Sequence, residues 1–155
     1  MEKELPIEEK IEKYLKHNKV DYVIYLPTSK IVQTLNRLQA NGGFEMIPVG
    51  KEEEMFGISA GLSLAGKKSA IFTQESGIGN SLLVLSSLIV AYDFPLLVFV
   101  ADDRENDKDI LPKQKLSHDM IEILKFLESK GDLVLHNVSN LNSITHIEGR
   151  NIILI

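Results

Sequence analysis

Three short clusters carry the side chains with chemistry to offer. Glu52, Glu53 and Glu54 stand side by side at the start of a run rich in small and apolar residues. Gln74-Glu75-Ser76-Gly77-Ile78-Gly79-Asn80 links two apolar stretches, and Pro27-Thr28-Ser29 closes an earlier one. A carboxylate at the mouth of a strand can hold or move a proton, and ligands of α/β sheets bind in crevices beyond the carboxyl ends of strands. Glycines at a helix start let backbone N–H groups approach a ligand. Each cluster also has an ordinary reading. Acids favour helix N-termini, a Gly-x-Gly segment makes a tight strand-to-helix turn, and a Pro-Thr-Ser triplet caps a helix.

Other constellations fail on spacing. The dinucleotide fingerprint needs a third glycine where Leu82 stands, and no phosphate-loop lysine follows. Asp102, Asp103, Glu105, Asp107 and Asp109 form an acidic run, but the glycine and the twelfth-position glutamate of an EF-hand are missing. It reads as a solvated loop. His17, His118, His136 and His146 make no close metal-ligand pair, and His118, near a helix start, is the one to watch. Serine and histidine are present without a nucleophile elbow. Metal ligands are therefore expected to be none.

The elements that must position these clusters follow from periodicity. Ile7, Ile11, Tyr14 and Leu15 predict an amphipathic helix over 7–18. Val20–Leu26 predicts a strand, and Ile31, Leu35 and Leu38 a helix that Gly42-Gly43 ends. A strand over 44–49, a helix over 52–65 and a strand over 69–73 come next. Residues 76–80 predict a turn and 81–92 a helix. Pro95–Ala101 is a continuously apolar strand, as expected where both sheet faces are covered. Residues 102–115 predict a charged loop and 116–129 a helix with Gly131 after it. Late strands fall at 133–136 and 152–155, around a short helix over 139–147. The alternation predicts an α/β fold, a single three-layer domain over 1–155 with a mostly parallel sheet. It brings the loops after residues 26, 49 and 73 to one sheet edge, and three loops converging there say more than any one of them.

Composition narrows the classes further. With 44% hydrophobic and 25% charged residues the chain can build an ordinary core. A net charge of −5, no basic block, no tryptophan and few aromatics argue against a nucleic-acid partner. The absence of cysteine removes disulfides and thiolate chemistry. The charged N-terminus carries no signal-peptide pattern, and the apolar run 82–92 is too short to span a bilayer, so no membrane partner and a cytoplasmic location are expected.

Taken together, these residues resemble a known family. Lys51-Glu52-Glu53-Glu54, Gly57-Ile58, Ala60-Gly61 and Leu64-Ala65-Gly66-Lys67-Lys68 match its xEEExxGIxAGxxLAGKK pattern. Gln74–Asn80 matches its QNSGLGN loop, and Leu26-Pro27-Thr28-Ser29-Lys30-Ile31 its proline-led turn. The chain is similar to the pyrimidine-binding domains of thiamine-diphosphate-dependent 2-keto acid decarboxylases of the phosphonopyruvate decarboxylase type, the sulfopyruvate decarboxylase α subunits among them. The likeness runs from about Ile7 to Ile123.

The resemblance implies a lyase that is active only with a partner subunit. It implies that Glu52 is catalytic, hydrogen-bonding the pyrimidine ring nitrogen and activating the cofactor's aminopyrimidine. It places Gln74, Ser76, Gly77, Gly79 and Asn80 around the cofactor, and Ser29 and Arg104 toward an anionic 2-keto acid. The expected reaction turns sulfopyruvate into sulfoacetaldehyde and CO2, a step of coenzyme M biosynthesis. The family's diphosphate and magnesium motif is GDG followed by an asparagine, whereas this sequence has only Gly131-Asp132-Leu133. The resemblance therefore implies a β subunit that carries the GDG…N motif and the magnesium, in a hetero-oligomer. Two departures stand out. Glu75 replaces the loop's asparagine, and Ala101-Asp102-Asp103-Arg104 replaces a segment of the His-Arg-Gly or Trp-Arg-Gly type. Lys30, Lys113 and Lys115 are further cations that could meet a sulfonate. A non-catalytic paralogous subunit and a flavodoxin-like ligand-binding module are the alternatives.

Overall fold

A computed structural model of the chain describes residues 5–101, 111–143 and 149–155; for 111–118 and 142–143 it describes the backbone. Six strands form one sheet: β1 (Tyr22–Tyr25), β2 (Glu45–Pro48), β3 (Ser69–Gln74), β4 (Leu96–Ala101), β5 (Val134–Asn137) and β6 (Arg150–Leu154). Their order is β2-β1-β3-β4-β6-β5, and every neighbouring pair is parallel. The helices are α1 (Ile7–His17), α2 (Val32–Asn41), α3 (Glu52–Leu64), α4 (Glu75–Asn80), α5 (Leu82–Val84) and α6 (Leu111–Ser129). A π-helical stretch, Leu85–Val90, follows α5, and a 3₁₀ turn, Val138–Ser143, follows β5.

Strand alternation sends successive side chains to opposite faces. Ala70 and Phe72 of β3 enter the core under α1 and α2, where Phe72 stacks on Phe99 with centroids 4.7 Å apart. Ile71 enters the other core, built with Met55 and Phe56 of α3 and Met120 and Leu124 of α6. The central strand β4 is buried at all six positions. The architecture is three layers around a parallel sheet, as the alternation predicts.

Several local expectations need correction. Residues 76–80 are not a turn: β3 runs directly into α4, with Gln74 extended at the helix cap. Neither Gly77 nor Gly79 adopts a positive φ, so neither glycine serves to reverse the chain. The expected helix over 81–92 breaks into α5 and the π stretch. Ser81 Oγ donates to the Gly77 carbonyl at 2.8 Å, and Ser86 and Ser87 Oγ both reach back to the Leu83 carbonyl. Such back-bonding competes with the helical ladder, and Ala91 N closes a π-type bond to Ser86 O. Residues 111–115, expected as loop, belong to α6, and the helix expected over 139–147 is the 3₁₀ turn where described. Pro27-Thr28-Ser29 gives α2 no side-chain cap; Ile31 holds that position.

Candidate active site

Because all six strands are parallel, the segments after β1, β2 and β3 share one edge of the sheet. The chain steps outward from β1 to β2 and then crosses back to β3 on the other side of β1. The β1/β3 gap is thus a topological switch point, where the following segments diverge and leave a crevice.

The three successive acids of α3 have different jobs. Glu54, at the third helical position, accepts from Gly50 N at 3.0 Å and Lys51 N at 3.2 Å. It caps the helix. Glu53 is exposed. Glu52 is half-buried and lies on the same helical stripe as buried Phe56 and Ser59, four and seven positions on. The stripe that packs α3 onto the sheet therefore turns Glu52 toward the sheet edge.

Glu52 meets α4 there. A Cβ built on Gly77 would lie 3.0 Å from Glu52 Cγ and 2.2 Å from Thr73 Oγ1. Gly77 is glycine because no side chain fits between a strand end and the Glu52 stem. Gly79, on the other side of α4, would bring a Cβ to 3.0 Å from Met120 Cε of α6. Glu75 is only 1% exposed and, four residues before Gly79, shares that side. Ser76 is half-buried and Asn80 exposed.

Consecutive residues at the end of β3 serve opposite faces. Thr73, 1% exposed, sides with Gly77 and Glu52. Gln74 sides with α1 and α2, and Thr28 Oγ1 donates to its Oε1 at 3.5 Å. Ser29 is exposed and helps line an open hollow of about 390 Å³ together with Pro27, Thr28, Val32, Asn36 and Gln39. The structure thus joins Glu52 to Gly77, and separately Gln74 to Thr28, across the sheet edge. Sequence reading had offered Thr28 only as part of a cap; its distance of 46 positions from Gln74 leaves no local signal. Arg104 and the acidic run 102–109 lie outside the described residues, as do the side chains of Lys113, Lys115 and His118.

Comparison with known proteins fits this arrangement. The family described as thiamine pyrophosphate enzyme, N-terminal TPP binding domain, matches residues 7–126. The chain belongs to that family. It is 37% identical over 100 residues to the sulfopyruvate decarboxylase subunit alpha of Methanocaldococcus jannaschii, covering 64% of this chain and 59% of the relative. It is 33% identical over 109 residues to the subunit of the same name from Methanothermobacter thermautotrophicus, covering 68% and 66%. The chain therefore spans less than two thirds of the length of these curated relatives. Among solved structures it is similar to the thiamine diphosphate-dependent 4-hydroxybenzoylformate decarboxylase of Rhodococcus jostii RHA1, with TM-score 0.68 and 15% identity over 97% of this chain and 30% of that one. At that identity the likeness shows the fold.

The residues present fit the cofactor's aminopyrimidine. The half-buried carboxylate of Glu52, held at the sheet edge, is the kind of group that can hold a proton at a ring nitrogen. Among the described residues no helix is long and apolar enough to cross a membrane.

Proposed function

We propose that the chain is the α subunit of a two-chain, thiamine-diphosphate-dependent decarboxylase acting on sulfopyruvate. The observation that carries this reading is the separation of Glu52 from the capping role. Glu54 satisfies the helix start, so Glu52 is left against Gly77 at the carboxyl edge of the sheet. A glutamate kept only for the helix dipole has no reason to be packed there. Glu52 is the group that holds a proton at the pyrimidine ring nitrogen, with Ser76, Gly77 and Asn80 of α4 lining the cofactor side and Gly79 seating that helix against Met120 of α6.

When bound, thiamine diphosphate supplies the electron sink for the reaction. The bond between the carboxylate carbon and C2 of sulfopyruvate breaks, CO2 leaves, and the electron pair left at C2 takes up a proton to give sulfoacetaldehyde. In this reading the diphosphate and magnesium are held by a β subunit with a GDG…N motif, the part of the family pattern that Gly131-Asp132-Leu133 does not match. The names of the relatives, subunit alpha, support a partner. So does the surface of α3. Gly57 and Gly61 are exposed with open space above them, and Leu64 beside them is 78% exposed. Ser29 and Arg104 are the substrate-side residues of this reading.

The test is to isolate the chain with its co-purifying subunit and measure CO2 release from sulfopyruvate with thiamine diphosphate and magnesium. Glu52→Gln is expected to lower kcat by about 10²-fold or more, the range of a lost acid–base group. Full activity of that variant would make this a non-catalytic subunit.

A further inference from the structure

Gln74 is the last residue of β3, and its amide has two ends of opposite character. The oxygen accepts and the nitrogen donates, so the end that faces the crevice decides what it can bind. The structure contains a device that sets this. Lys30 N donates to Thr28 Oγ1 at 3.4 Å, and Thr28 Oγ1 stands 3.5 Å from Gln74 Oε1. A threonine hydroxyl has one proton. Because the oxygen already accepts from the backbone of Lys30, its proton is turned outward, toward the Gln74 oxygen. The two protons of Gln74 Nε2 are then left for whatever enters the crevice.

We propose that Thr28 is a positioning residue that orients the Gln74 amide, so that Gln74 donates through Nε2 to an anionic group of the substrate. Both distances are at the long end of the hydrogen-bond range. The surroundings suit an anion. Among the described residues the hollow that Thr28 helps line carries no carboxylate; Ser29, Asn36 and Gln39 supply its polar groups beside the apolar Pro27, Val32 and Leu35. The one acid next to Gln74 in sequence, Glu75, is only 1% exposed. Neutral donors can bind an oxyanion without the desolvation cost of a buried cation. Gln74 thereby moves from the cofactor, where the family resemblance puts it, to the substrate side.

This inference rests on the decarboxylase reading, and the test separates the two. In the complex, Thr28→Val keeps the shape and removes the hydroxyl. Its KM for sulfopyruvate is expected to rise about tenfold, the effect of one misdirected charge-assisted hydrogen bond. The cofactor affinity and thermal midpoint are expected to stay unchanged, and Thr28→Ser to restore KM. In the complex built with the ¹⁵N-labelled chain, sulfopyruvate is expected to shift the Gln74 side-chain amide resonance, with about tenfold weaker binding in Thr28→Val. An unchanged titration in Thr28→Val, or equal loss of cofactor affinity, overturns the role of Thr28. A complex that fails to release CO2 while the Gln74 amide still responds overturns the decarboxylase reading and leaves the Thr28–Gln74 device standing.

Discussion

Glu12 is an acid held by three partners. It is 7% exposed on α1 and bonds Lys16 at 2.7 Å, Arg37 at 2.6 Å and Asn41 at 2.7 Å, tying α1 to α2. The Lys16 bond above all, with Asn41 and Arg37, outweighs the cost of burial and lowers its pKa from 4.5 to about 2. A depressed folded pKa gives stability above the unfolded value that is lost as pH falls. Glu12→Gln is therefore expected to cost about 1–3 kcal/mol at neutral pH. Denaturant melts of the two proteins should converge as the pH falls from 4.5 toward 2. A gap that stays constant would show that the carboxylate charge is not what matters. Glu12 and Lys16 are one helical turn apart, but Arg37 lies 25 positions from Glu12 and only the fold supplies it. The same holds for the three glutamates of α3. Their identity as an acidic helix start is local, whereas the choice of Glu52 as the inward one depends on which stripe meets the sheet.

Among the elements, strands and long helices were legible because their apolar periods are strong. The α4 region was not. Two glycines in seven residues signal a turn when read as conformational freedom, yet here they are spaces. Gly77 makes room for Thr73 and Glu52, and Gly79 for Met120. Gly77→Ala is expected to destabilise the chain by about 2–3 kcal/mol, the range of overpacking a rigid site. Thr73→Ala removes the oxygen that the new methyl strikes, so the double variant should recover more than half of that loss. A double-mutant cycle with no coupling would mean that α4 simply shifts. The π stretch was hidden for a different reason. Its apolar period is helical, and only the serine hydroxyls bonded to Leu83 O reveal the competition.

At the scale of the whole molecule the α/β class and the parallel sheet follow from alternation, but strand order does not. Nothing local says that β6 lies between β4 and β5, and the order decides which loops flank the switch point. The surface has its own signature. Leu83 is 79% exposed and Leu64 78%, on neighbouring helical elements that also display Gly57 and Gly61. Leu83→Asp is expected to leave the stability of the isolated chain within about 0.5 kcal/mol, as exposed positions do. It should abolish co-elution with the partner subunit in gel filtration. Unaltered co-elution would move the interface elsewhere.

The division of labour between Thr73 and Gln74 gives β3 a parity. One inserted or deleted residue inside the strand would exchange its two faces, sending the glutamine amide to the glutamate and the threonine to the other loop. Both halves of the site would fail together, although no residue had been lost from either. Length variation in this strand is therefore tolerable only in steps of two. The helices beside it are under no such restriction at their far ends. The site is thus protected by counting as much as by chemistry.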